Sequence, residues 1–179
     1  MEMAAGLGLT ADGHFHYGLS YGALDEEAEG TWHFDGVHVV LDSEAVKAPH
    51  FSFLGQARAD SNVLHVDLQV PAGMDPQYFD VAVTLADGTT AGGQLSAEGL
   101  TLPLKSDQVL KSVRIVLPMF EIASDPVVVD PSKGLKLSFR FEPNDLGHVG
   151  FQGTLLESKA GELLLTRHGV EIHFRHIDK

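Results

Sequence analysis

Polar and apolar residues alternate with period two along most of this chain, and no window sustains a helical period. The first clear strand is His14-Phe15-His16-Tyr17-Gly18-Leu19-Ser20-Tyr21. Its odd positions, Phe15, Tyr17, Leu19 and Tyr21, make an apolar face, and His14, His16, Gly18 and Ser20 face the other way. An acidic connection, 22–29, leads to Thr31-Trp32-His33-Phe34 and Val37-His38-Val39-Val40-Leu41, which flank Asp35-Gly36. Asp-Gly between two apolar runs predicts a two-residue type I′ hairpin. That turn pairs Phe34 with Val37, His33 with His38, and Trp32 with Val39. Trp32 and Phe34 then join the Phe15/Tyr17 face, because a one-residue slip would expose them.

Residues 43–50 read as a linker, and a different rhythm follows. Strands are expected at 51–53, 63–70, 79–85, 99–104, 113–117 and 135–141, with a turn at Asp87-Gly88 and at most a helical turn near 106–111. Gly92-Gly93 reads as a flexible turn or bulge. Short strands at regular spacing predict a β-sandwich. After the turn cluster Pro143 to Gly147 the opening style returns, with strands at 149–156, 162–166 and 170–174 joined at Ala160-Gly161 and His168-Gly169. The expected fold is therefore all-β. An antiparallel barrel-like meander is built from both ends of the chain, residues 1–48 and 146–179, with a β-sandwich inserted at 50–143.

Composition narrows the function. At 179 residues, 44% hydrophobic and 21% charged, the chain can bury a real core. Its formal charge of −13, from 25 acidic and 12 basic residues, repels phosphate backbones and anionic membrane surfaces, so no nucleic-acid partner is expected. No apolar run approaches the ~20 residues of a membrane span. Zero cysteines exclude disulfides and thiolate ligands. The start lacks a basic and an apolar signal region, yet strand-like sequence begins almost at once, as in a trimmed exported protein. The expected location is periplasmic or secreted.

Two stretches carry a resemblance. Leu9 to Tyr17, Ala28 to Trp32 and Gly36 to Leu41 resemble the opening of calycin-like barrels in exported bacterial proteins. The run Tyr17 to Glu26, with Gly30, Trp32 and Pro143 to Gly147, resembles an uncharacterised family of exported proteobacterial proteins, which brings no known activity. Positions matching His14 and His16 are often basic in that family. The middle section is similar to transthyretin-like sandwiches in strand rhythm alone.

Histidine is the densest unusual feature, with ten in the chain. With Tyr17 opposite Trp32, the expected pairing puts His14, His16, His33 and His38 on one sheet face. Some of their Cβ atoms would lie ~5 Å apart. Imidazoles so spaced can chelate Zn²⁺, Cu²⁺ or Ni²⁺, with His173 and His176 as further ligands, whereas the plainer reading is a solvated polar face. Tyr17, Tyr21 and Trp32 are core, or alternatively line a barrel cavity that takes a small apolar ligand. Asp25, Glu26, Glu27 and Glu29 read as a solvated loop, or as Ca²⁺ ligands. An acid pair from Asp25, Glu26 and Glu29 is the only hydrolase option, since no nucleophile elbow or phosphate loop occurs. The function expected is a non-enzymatic binding or accessory protein with a small-molecule or protein partner. A structural or interaction module is a further option.

Overall fold

The computed structural model describes residues 3–22, 24–58 and 62–177, with the side chain of Tyr21 outside that description. Among the described residues sixteen strands follow in chain order. The first nine are β1 (Met3–Leu9), β2 (His14–Tyr21), β3 (Leu24–Phe34), β4 (Val39–Ser43), β5 (His50–Ala57), β6 (Val63–Gln69), β7 (Asp80–Leu85), β8 (Thr90–Gln94) and β9 (Leu100–Pro103). The remainder are β10 (Leu110–Leu117), β11 (Ile122–Ala123), β12 (Val127–Val128), β13 (Lys136–Glu142), β14 (Thr154–Lys159), β15 (Glu162–Arg167) and β16 (Val170–Arg175). Three single 3-10 turns are the only helical pieces among the described residues. The protein is all-β, as the period-two alternation predicts.

Two compact units divide the chain, one of residues 1–47 with 147–179 and the other of residues 48–146. In the first, seven antiparallel strands run in the order β1-β2-β3-β4-β14-β15-β16, a nearly closed barrel-like sheet. Its inner face follows strand parity. Phe15, Tyr17 and Leu19 of β2 are buried with Ala28, Leu41, Phe151, Leu156, Leu165 and Ile172, and Leu7, Leu9, Trp32, Leu163 and Phe174 pack against them. Type I′ geometry at Ala160-Gly161 (φ 54° and 84°) and His168-Gly169 (φ 50° and 72°) sets the last two hairpins.

Register departs from the sequence expectation in two places, always by an even number. The Asp35 loop has four residues, so Phe34 faces Val39, His33 faces Val40 and Trp32 faces Leu41. Asp35 explains it: its carboxylate accepts from the backbone N–H of Val37 at 2.8 Å and His38 at 2.7 Å, an Asx-type turn that outcompetes the tight hairpin. In the other place, Tyr17 faces Ala28 rather than Trp32, because the acidic stretch is strand and not loop. Trp32 reaches the core, whereas Phe34, at the end of β3, is 60% exposed.

In the second unit, a sheet ordered β11-β10-β7-β8, with β12 also on β10, shares one core with a sheet ordered β5-β13-β6-β9. Leu64, Val66, Phe79, Val81, Ile115, Leu137, Phe139 and Phe141 fill it. Gly92 lies within β8 rather than in a turn. A Cβ there would sit 1.9 Å from the Val81 carbonyl oxygen, at φ +152°, so the strand passes where only glycine fits. Gly92→Ala should therefore separate β7 from β8 and lower stability by about 2–4 kcal/mol, read from urea unfolding by circular dichroism.

Candidate functional site

The face that carries the histidines is outward and exposed, as parity requires, but its neighbours are not those expected. His14 faces Thr31 and His16 faces Glu29. His16 Nδ1 lies 3.6 Å from the Glu29 carboxylate, both largely in solvent. His33 stands four residues along β3 from Glu29, about 13 Å at strand rise. His38 belongs to the Asp35 loop, its Nδ1 3.4 Å from Asp35 Oδ2. His173 is held between Glu162 (2.8 Å) and Glu171 (3.1 Å). Among the described residues no three His, Asp or Glu side chains are grouped to hold a metal ion. The candidate acid pair is separated too. Asp25 and Glu29 point outward, Asp25 accepting from Ser20 Oγ, while Glu26 points into the barrel.

Glu26 is the residue sequence reasoning misread. Strand parity puts it on the inner face with Ala28 and Gly30, and it is only 5% exposed. A buried carboxylate needs partners. Arg167 Nε donates to its Oε2 at 2.5 Å, and His168 Nε2 lies 2.8 Å from its Oε1. Arg167 ends β15 and His168 begins the turn into β16, so the pair spans the interior between strands that are not sheet neighbours. His168 takes a left-handed φ of 50° in that turn. The guanidinium carbon also lies 5.6 Å from the centre of the Phe151 ring. Extending the alternation of Trp32 and Phe34 back through Gly30 and Ala28 would have found Glu26. No local sequence signal names Arg167 as its partner.

Beside this cluster stands Tyr17, 3% exposed, its ring edge-on to Phe151 at 5.1 Å and to Phe174 at 6.4 Å. Its hydroxyl is the one buried side-chain polar atom without a hydrogen-bond partner among the described residues. Burial, with the nearby Glu26 charge, pushes its pKa up to about 12, so the phenol stays a proton donor. An orphaned buried hydroxyl costs about 1–3 kcal/mol, which phenylalanine at this position would avoid.

The barrel's edge strands β1 and β16 approach each other without forming a ladder, which leaves a seam. A groove of about 810 Å³ opens there, lined by Leu7, Leu9, Leu163 and Phe174 together with Arg175, which is paired to Glu162, and His176. Leu7 is the cross-strand partner of Tyr17, and Phe174 packs on the Tyr17 ring, while Tyr17 itself does not line the groove. Of the aromatic set expected to line a cavity, Trp32 instead seals the barrel near the 10–13 turn, its Nε1 donating to the Thr10 carbonyl at 3.0 Å. The side chain of Tyr21 lies outside the described residues. Comparison with protein-family models, curated proteins and solved structures finds no match to this chain.

Two outcomes follow from this geometry. Burial works to raise the Glu26 pKa, but the Arg167 and His168 hydrogen bonds outweigh it and hold the carboxyl below its ordinary 4.5. A depressed folded value means the contribution is complete above the unfolded value and lost as pH falls through the folded one. Glu26→Gln should cost about 2–4 kcal/mol at pH 7, and the gap to wild type should shrink as pH is lowered below 4. The chain's single tryptophan, Trp32, reports this unit in urea melts by fluorescence. In isothermal titration with Zn²⁺ and Cu²⁺, a His33→Ala/His38→Ala variant should match wild type. A clear loss of affinity would show that those side chains converge in solution.

Proposed function

We propose that the protein is a non-catalytic binding module whose barrel unit takes a small apolar molecule through the seam between β1 and β16. The observation that carries this reading is the groove itself. Core side chains Leu7, Leu9, Leu163 and Phe174 reach the surface together at the one place where two edge strands of this sheet meet unpaired. Its volume suits a ligand of drug-like size, and its leucine and phenylalanine walls follow the usual composition of such sites. The interior polar residues favour binding over catalysis: Glu26 has both oxygens engaged, and Tyr17 holds its proton too tightly to act as a base near neutral pH.

Native mass spectrometry of the purified full chain tests the reading. Wild type should carry a small-molecule adduct that denaturation releases, or should bind Nile red with enhanced fluorescence. Leu9→Arg, which puts a charge in the half-buried groove wall, should do neither. A wild-type protein with no adduct and no dye binding would overturn the proposal, as would equal binding by Leu9→Arg. An adduct of protein mass would replace the small molecule with a macromolecular partner.

A further inference from the structure

The β15–β16 hairpin is held to the barrel unevenly. Its own ladder runs its full length, from Glu162 opposite Arg175 to Arg167 opposite Val170. Its ladder to β14 covers only Glu162, Leu163 and Leu164, and β16 has no ladder to β1. From Leu165 to Ile172, around the His168-Gly169 turn, no backbone hydrogen bond leaves the hairpin among the described residues. Side chains hold that half instead. Leu165 and Ile172 are buried in the barrel core, and Arg167 and His168 form the fork on Glu26 of β3, with the Arg167 guanidinium also over the Phe151 ring.

We propose that residues 165–172 form a flap, hinged where β15 leaves β14, which the Glu26 fork holds shut and acid releases while the rest of the barrel stays folded. The flap is separate from the seam reading, because the groove residues Leu163 and Phe174 stand opposite each other at the hinge end of the hairpin. Among the described residues, Arg167 from β15, His168 from the turn and Tyr17 from β2 lie close enough to couple to the Glu26 charge. Burial and that charge keep the Tyr17 phenol protonated, so it adds no charge of its own. Burial works to raise the Glu26 pKa, and the Arg167 and His168 bonds outweigh it, so the carboxyl lies below its ordinary 4.5. The clasp is therefore complete above the unfolded value and lost as pH falls through the folded one. Protonation leaves the Arg167 cation, its side chain only 22% exposed, without a counter-charge, and a guanidinium in that state is better solvated outside the barrel. No backbone ladder opposes its departure. Freed from the barrel, a two-stranded tip is marginal in water, so its ladder amides exchange.

Hydrogen–deuterium exchange of the full chain at pH 7 and pH 3.5, corrected for the intrinsic pH dependence of exchange, tests the flap. In wild type, protection of the 165–172 amides should fall about tenfold or more at pH 3.5 while β2 and β4 keep theirs. Glu26→Gln should show that local loss already at pH 7, with little further change in the segment at pH 3.5. His168→Asn removes one arm of the fork, keeps a residue suited to a left-handed φ, and should lie between the two at pH 7. If Glu26→Gln fails to fold, wild type and His168→Asn still decide. Unchanged wild-type protection at pH 3.5, or a loss spread evenly over β2, β4 and the hairpin, overturns the flap. A folded Glu26→Gln or a His168→Asn that matches wild type at pH 7 does the same. Leu9→Arg should leave the exchange pattern of the hairpin tip as it is in wild type, so failure of the seam reading and failure of the flap are told apart.

Discussion

Glu26 and Arg167 stand 141 residues apart in sequence and meet inside one barrel. Neither can be buried alone: an isolated interior carboxylate or guanidinium is too costly, so each requires the other in place. The first segment of the chain supplies β1 to β4 and the last supplies β14 to β16, and the ion pair ties a strand of one to the closing hairpin of the other. Apolar packing of Phe15, Leu41, Leu156 and Ile172 supplies the bulk driving force but would tolerate more than one arrangement. A fork of hydrogen bonds from Arg167 and His168 onto one carboxylate tolerates far fewer. It fixes where β3 stands relative to the 167–170 turn, and through that the position of Tyr17 between Phe151 and Phe174.

Faces were legible in this sequence and neighbours were not, for a physical reason. Side-chain direction in a strand depends only on parity, so a register wrong by two or four residues still sends every side chain to its proper side. Trp32 was expected opposite Val39 and stands opposite Leu41; Tyr17 was expected opposite Trp32 and stands opposite Ala28. Both errors preserve the apolar face, so hydrophobicity could not expose them. They do move His16 away from His33, which is why the imidazole row does not form a cluster. Register is decided by turn chemistry, and here the Asp35 carboxylate binds two backbone N–H groups and lengthens a loop that Asp-Gly alone would have closed in two residues.

The candidate site was hidden by a second mechanism. Four acidic residues within 25–29 read as a solvated loop by composition, yet β3 begins at Leu24 and alternates them, Glu26 in and Asp25, Glu27 and Glu29 out. A charged residue on an inner face violates the expected pattern, and such violations are where function or special structure concentrates. The orphaned Tyr17 hydroxyl beside it is a second departure from an economical core. A barrel built for packing alone would carry phenylalanine there.

The insertion of a whole sandwich between β4 and the return segment raises the question of what closing so long a connection costs. For a disordered loop the closure entropy grows with the logarithm of length. For a folded insert the relevant quantity is the distance between its ends. Those ends are joined: β5 opens at His50 and β13 closes at Glu142 as direct partners in one ladder, and just beyond them Asn144 Nδ2 donates to the Ala48 carbonyl at 2.8 Å. Once the sandwich core around Phe51, Phe79 and Phe141 has formed, the 99 residues from Ala48 to Leu146 act on the barrel chain as a short hairpin connection. The sandwich is continuous in sequence and fills its core from its own residues, whereas the barrel core draws on β2 to β4 from one segment and β14 to β16 from the other.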